Sequence, residues 1–286
     1  MKAIIGRAAI AAASAIVLWT ASAVAAPLGQ QSGQQLRPQL RQPPVFPGRE
    51  KEPPPRACFL LYDFSAGEVR RAPSSGCGRR VSPAATFEIA AAVAGLDAAV
   101  VRSNSSPGSG QDMDSALAYS SSGYFNELSQ NLGPNRVAEY LRRFDYGNAA
   151  TGAGGEYWKD GSLAISPDEQ MRFLRRLFAE ELTVSRKAMI EVRAPLRQPP
   201  GLIVGNFGAF PVGPISWRND TSMLGKGGAT IVDGEEGKEA VRWQVGHISR
   251  GNRQFVYVSC VTGPKTLPEN AAALLAANSL NNANVF

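Results

Sequence analysis

The chain has 286 residues, of which 44% are hydrophobic, and its formal net charge is +6 at pH 7. This length allows one large domain or two small ones, and the hydrophobic fraction is ample for a packed core. Basic and aromatic residues are not interleaved as in nucleic-acid-binding proteins, so we expect no nucleic-acid partner. The sequence has one histidine, His247, and no C-x-x-C pair, so we expect no metal site and no cofactor.

The first 25 residues have the pattern of a secretory signal peptide. Lys2 and Arg7 supply the charged start, residues 8–19 form an apolar run, and residues 23–25 form an A-x-A cleavage site. The alternative is a retained membrane anchor, but the run is shorter than the roughly 20 residues that span a bilayer. We therefore expect cleavage near Ala25 and export to the periplasm.

Residues 26–56 predict a disordered linker. Gln, Pro, Gly and Arg dominate this segment, and large apolar residues are almost absent, so it cannot bury enough surface to offset its conformational entropy. Its arginines leave two interpretations open, which are weak contact with anionic wall polymers or a membrane surface, and a solubilising charge balance.

A folded domain is predicted over residues 57–286, and it begins with a hairpin. Residues 58–64 are apolar and β-prone, and a turn follows at residues 65–68. Three cysteines, Cys58, Cys77 and Cys260, fit an oxidising compartment in which two pair and one is left over. We prefer a Cys58–Cys77 disulfide because these residues flank the hairpin, with Cys260 as a buried thiol.

Helical spacing of apolar residues dominates the middle of the domain. The best-specified helix follows Ser166, Pro167 and Glu169, which form a capping box with proline at the first helical position. The other predicted helices cover residues 82–97, 113–132 and 137–144, and a flexible loop is predicted at residues 103–111.

Strand patterns return near the end of the domain, at residues 229–232, 240–248 and 254–261, before an Ala-rich helical segment at residues 267–280. Strands at both ends with helices between them predict an α/β domain of the α+β type. We expect a mainly antiparallel sheet flanked by terminal helices, together with an all-helical region.

Five short blocks follow one another in the domain: Phe59-Leu60-Leu61-Tyr62-Asp63, Ser82-Pro83-Ala84-Ala85-Thr86-Phe87-Glu88-Ile89, Gly95-Leu96-Asp97, Tyr146-Gly147-Asn148 and the block from Ser162 to Gln170. In this order they resemble class D (oxacillinase-type) serine β-lactamases, related sensor domains and the wider penicillin-binding transpeptidase family. The resemblance covers more than the first half of the domain and implies a β-lactamase/transpeptidase-like fold.

The resemblance also shows what is missing. In that family the helix after the Ser-Pro turn starts with Ser-Thr-Phe-Lys, where the serine attacks the lactam carbonyl and the carboxylated lysine takes its proton. This spacing places nucleophile and base on one helix face. Here the matching residues are Ala85 and Glu88, and no serine in the chain is followed three residues later by lysine. Ser82 is either a surrogate nucleophile or a cap or turn residue.

Other family positions supply candidate binding residues. Ser120-Ser121-Ser122 resembles the family's Ser-x-Val, although Ser122 departs from valine and a polar helix start explains the serines equally well. Lys226-Gly227-Gly228 stands for Lys-Thr-Gly, so Lys226 keeps a charge for a carboxylate while Gly227 lacks the hydroxyl. Trp158 matches the tryptophan that shelters the modified lysine, with packing as its simpler role. The candidate cleft residues are Ser120, Ser122, Trp158, Lys226 and Gly228.

A buried carboxyl at Glu88 needs a cationic partner, and Lys226 is the residue we expect to supply it. The sequence therefore favours a non-catalytic module over an enzyme, with peptidoglycan fragments or a periplasmic cell-wall protein as its partner. Two alternatives stay open: a divergent hydrolase that uses Glu88 and water or Ser120 with Lys226, and a scaffold with no cleft ligand.

Overall fold

The computed structural model describes residues 53–102, 111–152, 155–205, 208–214, 220–234 and 237–283. The predicted signal peptide and most of the predicted linker lie outside these residues, as does most of the loop at residues 103–111. The first strand begins at Arg56, one residue before the predicted start of the domain. Among the described helices, none is long and apolar enough to cross a bilayer.

A six-stranded sheet in the order β2-β1-β8-β7-β6-β3 lies at the centre, and all its strand pairs are antiparallel. The first and last strands of the chain, β1 and β8, are neighbours in it. A separate hairpin is formed by β4 and β5. The strands are β1 (Arg56–Asp63), β2 (Glu68–Ala72), β3 (Arg197–Gln198), β4 (Leu202–Gly205), β5 (Gly208–Pro211), β6 (Thr221–Gly234), β7 (Gly237–Arg250) and β8 (Arg253–Pro264).

Successive side chains of a strand point to opposite faces of the sheet, and each face packs in a different hydrophobic core. Leu60 and Val258 pack with the helical region, whereas Leu61 and Tyr257 pack with the C-terminal helix α7 (Ala271–Asn282). The helical region consists of α1 (Phe87–Asp97), α2 (Met113–Tyr119), α3 (Ser122–Leu132), α4 (Pro134–Arg143), α5 (Pro167–Phe178) and α6 (Arg186–Glu191). The predicted α/β class, with its antiparallel sheet and all-helical region, is confirmed. Of the predicted terminal helices, the described residues contain the C-terminal one.

Several predicted elements differ in extent from the structure. The helix predicted over residues 82–97 begins at Phe87, after a 3₁₀ turn at Ala84–Thr86, and the helical segment predicted at residues 267–280 begins at Ala271. The helix predicted over residues 113–132 is two helices, because the chain breaks at Ser120, which has a φ of 56°. The strand predicted at residues 229–232 is the middle of the longer strand β6, which also carries Lys226 and Gly228.

The Pro- and Gly-rich passage after α6 contains β3, β4 and β5, which sequence reasoning missed. These strands are two to four residues long. Such short segments carry too little periodicity to be recognised, and pairing with neighbours defines them.

The predicted capping box of α5 is present. The Glu169 backbone N–H donates to Ser166 Oγ at 3.2 Å, and the Ser166 backbone N–H donates to Glu169 Oε2 at 2.9 Å. Pro167 occupies the first turn, where its missing N–H costs no helical hydrogen bond.

Two of the five sequence blocks contact each other. Gly147 has a φ of 59°, and a Cβ at this position would lie 2.0 Å from the Ala164 carbonyl oxygen, so only glycine fits. The next residue, Asn148, donates to the Ser162 carbonyl at 2.8 Å and accepts from the Ala164 N–H at 3.0 Å. These bonds hold the two blocks together.

The predicted Cys58–Cys77 disulfide is present, and Cys260 is a buried free thiol. Cys260 lies directly opposite Cys58 in the pairing of β1 with β8. Burial raises the pKa of the Cys260 thiol, which suppresses the reactive thiolate.

Candidate functional site

A cleft of about 490 Å³ runs along β6. Its lining comes from the start of α1, the junction of α2 and α3, the β4–β5 hairpin and the start of α7. The cleft brings together most of the sequence-predicted residues, namely Ala85, Glu88, Ser120, Ser122, Lys226 and Gly228.

Ala85 lies in a 3₁₀ turn, Ala84–Thr86, that leads directly into α1. The preceding residue, Ala84, has a φ of 47°, a region that alanine rarely adopts. Strand β6 approaches this turn so closely that a Cβ at Gly228 would lie 3.0 Å from the Ala85 backbone nitrogen. Gly228 therefore sets the distance between the turn and the strand at the bottom of the cleft.

Ser82 stabilises this turn through hydrogen bonds and does not line the cleft. Its hydroxyl donates to the Trp158 carbonyl at 2.6 Å and accepts from the Ala84 N–H at 3.3 Å. The Trp243 indole N–H donates to the Ser82 carbonyl at 2.8 Å. These bonds favour the turn-residue interpretation over a surrogate nucleophile.

Glu88 and Lys226 form a buried ion pair at the cleft floor. Glu88 Oε2 lies 2.7 Å from Lys226 Nζ, and the side chains are 0% and 4% exposed. Lys226 Nζ also donates to Ser120 Oγ at 2.7 Å and to the backbone carbonyl of Leu117. The ammonium thus has one ion pair and two hydrogen bonds within the protein. Lys226 is therefore engaged inside the protein and not free to hold a ligand carboxylate.

Burial controls the electrostatics of this pair. It raises the pKa of the Glu88 carboxyl above its usual value, and the charges of Lys226 and Lys159 and the nearby Ser120 hydroxyl offset only part of this effect. Burial also lowers the pKa of Lys226, with Glu88 opposing. Each charge therefore depends on the other, because neither has bulk water to solvate it.

Ser120 reaches Lys226 because of the break between α2 and α3. Its φ of 56° and ψ of 53° place it in the left-handed region, which costs a non-glycine residue about 1–2 kcal/mol. The Ser121 N–H donates back to the Ala116 carbonyl at 2.9 Å and closes the end of α2. Strain of this kind persists only where surrounding contacts enforce it, and the bond to Lys226 is one such contact.

Ser122 and Trp158 have different environments from those the resemblance implies. The Lys159 ammonium donates to Ser122 Oγ and pairs with Glu156 Oε1 at 2.9 Å, so the Ser122 hydroxyl is engaged at the cleft edge. Trp158 is fully buried, is not among the lining residues, and stacks on Phe87 with ring centroids 5.0 Å apart. Its placement in the cleft was wrong, and its role is packing.

One wall of the cleft was not predicted. The Gln198 side chain donates to the Val204 carbonyl at 2.9 Å and accepts from its N–H at 3.3 Å, which ties β3 to the β4–β5 hairpin. The hairpin brings Val204 and Phe210 into the lining. Arg197 and Glu269 also line the cleft and were missed, since neither lies in a recognisable motif. Within the described residues, no group of three or more His, Cys, Asp or Glu side chains could hold a metal ion.

Residues 58–283 match the family described as penicillin binding protein transpeptidase domain. The chain belongs to this transpeptidase family. β-Lactamase OXA-9 of Klebsiella pneumoniae is 33% identical over 233 residues, which cover 72% of this chain and 79% of that protein. β-Lactamase OXA-1 of Escherichia coli is 27% identical over 241 residues, covering 77% and 79%. The resemblance to class D β-lactamases is thus confirmed.

A regulatory protein is also among the relatives of this transpeptidase-family chain. BlaR1 of Bacillus licheniformis is 24% identical over 220 residues, and the match spans 72% of this chain but only 33% of the BlaR1 length. The solved C-terminal domain of the Bacillus licheniformis BlaR penicillin-receptor superposes with a TM-score of 0.66 at 21% identity, covering 81% of this chain and 92% of that domain. The class D β-lactamase FUS-1 of Fusobacterium nucleatum gives a TM-score of 0.67 at 19% identity, covering 81% and 94%. At these identities the structures show the shared fold.

Proposed function

We propose that this protein is an exported, non-catalytic β-lactamase-like module whose cleft binds peptidoglycan fragments or a cell-wall partner without cleaving them. The observation that carries the proposal is the cleft floor. Ala85 and Glu88 stand where the family resemblance expects the nucleophilic serine and its lysine, and Glu88 is paired with Lys226.

The size of the catalytic loss supports this assignment. Removing the nucleophile of a serine hydrolase lowers turnover by about 10⁶-fold, and removing further members of the catalytic unit adds little. Both the serine and the lysine of the family pattern are absent here. No ordinary acyl-enzyme route therefore starts at Ala85.

The relatives support a binding role on the same fold. The family includes β-lactamases and a protein described as a penicillin-receptor, so the fold serves recognition as well as hydrolysis. The cleft of this chain retains a volume of about 490 Å³, within the range of small-molecule sites. A cleft of this size is compatible with ligand binding after catalysis is lost.

Export to the periplasm is part of the proposal. The Cys58–Cys77 disulfide suits an oxidising compartment. Fractionation of cells that express the full chain tests this step, because a shortened, disulfide-bonded protein in the periplasmic fraction is expected. Full-length, reduced protein in the cytoplasm would refute it.

A second candidate function is a divergent hydrolase with Ser120 as nucleophile and Lys226 as base. The 2.7 Å contact between Ser120 Oγ and Lys226 Nζ favours it, since activated nucleophiles lie within hydrogen-bond reach of a base. Against it, Lys226 acts as a base only when it is neutral, and its ion pair with the Glu88 carboxylate opposes the loss of its proton. We therefore place this candidate second. A general-base role for Glu88 meets a similar obstacle, because that carboxylate is fully buried and already paired.

Intact-mass measurement after incubation with benzylpenicillin separates the two candidates, with OXA-1 as the positive control. We expect no adduct and no turnover of a chromogenic cephalosporin. An adduct that disappears in Ser120→Ala establishes the hydrolase instead.

Calorimetric titration with soluble disaccharide-peptide fragments of peptidoglycan tests the binding step. Saturable binding supports the proposal. Absence of heat with these fragments, together with absence of any partner cross-linked at the cleft, leaves the scaffold alternative and overturns it.

A further inference from the structure

The charged residues of the cleft fall into two groups. Lys226 is paired with Glu88, and Lys159 with Glu156. Arg197 and Glu269 also line the cleft and are exposed, and their side chains make no ion pair or hydrogen bond within the described residues. After internal pairing, the cleft therefore offers a ligand one guanidinium and one carboxylate.

Both side chains stand on fixed backbone. Arg197 is on β3 and is paired with Leu224 of β6. Glu269 precedes Asn270, the residue at the N-terminal boundary of α7, and follows Pro268, whose carbonyl accepts from Arg242 Nε at 3.4 Å. The two opposite charges share one cleft without pairing with each other. Arg242 acts on Glu269 only through its charge.

The rest of the lining suits a peptide. Val204, Phe210 and the 80% exposed Tyr119 provide apolar surface. These side chains can contact the apolar groups of a peptide.

We infer that the cleft binds a short zwitterionic peptide, with Arg197 pairing its free carboxylate and Glu269 its free ammonium group. This inference rests on the proposed binding function and names the chemistry that the ligand must carry. Arginine pairs carboxylates through two parallel hydrogen bonds, which makes the carboxylate end the more strongly oriented one. A ligand with both charges forms a charged contact at each end, whereas a singly charged ligand forms only one.

The test is calorimetric titration of the mature protein with tetra-alanine in three forms: both ends free, N-acetylated, and C-amidated. We expect the free peptide to bind most tightly, and each blocked form to bind about tenfold more weakly, as one lost charged contact predicts.

Variants assign each end of the peptide. Arg197→Gln is expected to bind the free and amidated peptides equally while still discriminating against the acetylated one, and Glu269→Gln is expected to do the reverse. Arg172→Gln, which changes an exposed arginine outside the cleft, is the matched control and keeps the wild-type order.

Two results overturn the inference. The first is equal affinity for all three peptides. The second is binding of disaccharide-peptide fragments without binding of tetra-alanine, which leaves the proposed function intact and moves recognition to the glycan. If neither ligand binds, this inference fails, and the proposed function then depends on the cross-linking test for a cell-wall partner.

Discussion

Two glutamates, Glu88 at the cleft floor and Glu169 at the start of α5, have opposite electrostatic environments. Burial opposes the charge of both. At Glu169 the Arg80 guanidinium and the Ser166 hydrogen bonds together outweigh burial and lower the pKa of the carboxyl to about 2. At Glu88 burial has the larger effect and raises the pKa of the carboxyl.

The difference lies in the number and origin of the partners. Glu169 is bound by Arg80, at 2.5 Å for the shortest contact, and by the N–H and hydroxyl of Ser166, its neighbour in the capping box. Glu88 has Lys226 as its ion-pair partner, from a distant part of the chain. A carboxylate with several partners, one of them half-exposed, keeps its charge, whereas the charge of a carboxylate with one buried ion-pair partner depends on that partner.

The largest predicted effect is on the buried pair. Glu88→Gln should lower the free energy of unfolding by about 3–5 kcal/mol, because it leaves the Lys226 ammonium buried without a counter-ion. Urea unfolding at pH 7 measures this change.

Lys226→Met should lower the free energy of unfolding by a similar amount. The double variant Glu88→Gln with Lys226→Met should recover much of this stability, because no isolated charge remains. Additive losses would show that the two residues act independently and that the pair does not hold the cleft floor together.

The next largest effect is expected at Gly228. Gly228→Ala should destabilise the protein by about 1–3 kcal/mol and weaken ligand binding, because the new methyl group meets the backbone of Ala85 at 3.0 Å. Gly227→Ala is the matched control, since its methyl meets only the end of the Gln244 side chain at 3.2 Å and a main-chain oxygen at 3.7 Å. Thermal unfolding compares the two variants, and equal losses would contradict a close approach specific to Gly228.

Glu169→Gln should lower the free energy of unfolding by about 1–2 kcal/mol at pH 7. The effect is small because Arg80 is half-exposed and solvent screens its charge. The folded-state pKa of Glu169 lies below its usual value of 4.5, so the charge stabilises the fold above pH 4.5. This stabilisation is lost as the pH falls toward 2. Unfolding curves of wild type and variant should therefore converge between pH 4.5 and pH 2. A constant difference over this range would show that the capping hydrogen bonds, and not the charge, are responsible.

The smallest effect is expected from restoring the family residues. Ala85→Ser with Glu88→Lys should give weak acylation by penicillin at most, and turnover far below the 10 s⁻¹ typical of enzymes, by roughly 10²-fold or more. The new amine would face the Lys226 ammonium in place of a carboxylate, and Gly227 still lacks the family hydroxyl. Ala85→Ser alone and Glu88→Lys alone should each give less acylation than the double variant.

Chromogenic cephalosporin hydrolysis measures this outcome. Efficient turnover by the double variant would show that the cleft remains suited to catalysis, and the protein would then be a recently silenced enzyme and not a remodelled binding module.

The sequence alone was sufficient where neighbouring residues determine the structure. The capping box of α5 needs only residues 166–169. The antiparallel pairing of β6, β7 and β8 follows from apolar runs separated by short turns. The pairing of Glu88 with Lys226 was also predictable, because a carboxyl in a buried site requires a cation and the family resemblance placed both residues at the same cleft.

The tertiary structure alone decided how the cleft is shaped and charged. The left-handed conformation of Ser120, the wall formed by β4 and β5, and the exposed charges of Arg197 and Glu269 all depend on contacts between distant segments. Trp158 was misplaced for the same reason, since its environment is set by packing on Phe87. Local patterns encode only the interactions within a few residues, whereas a cleft is assembled from segments whose mutual positions are fixed by the packing of the whole core.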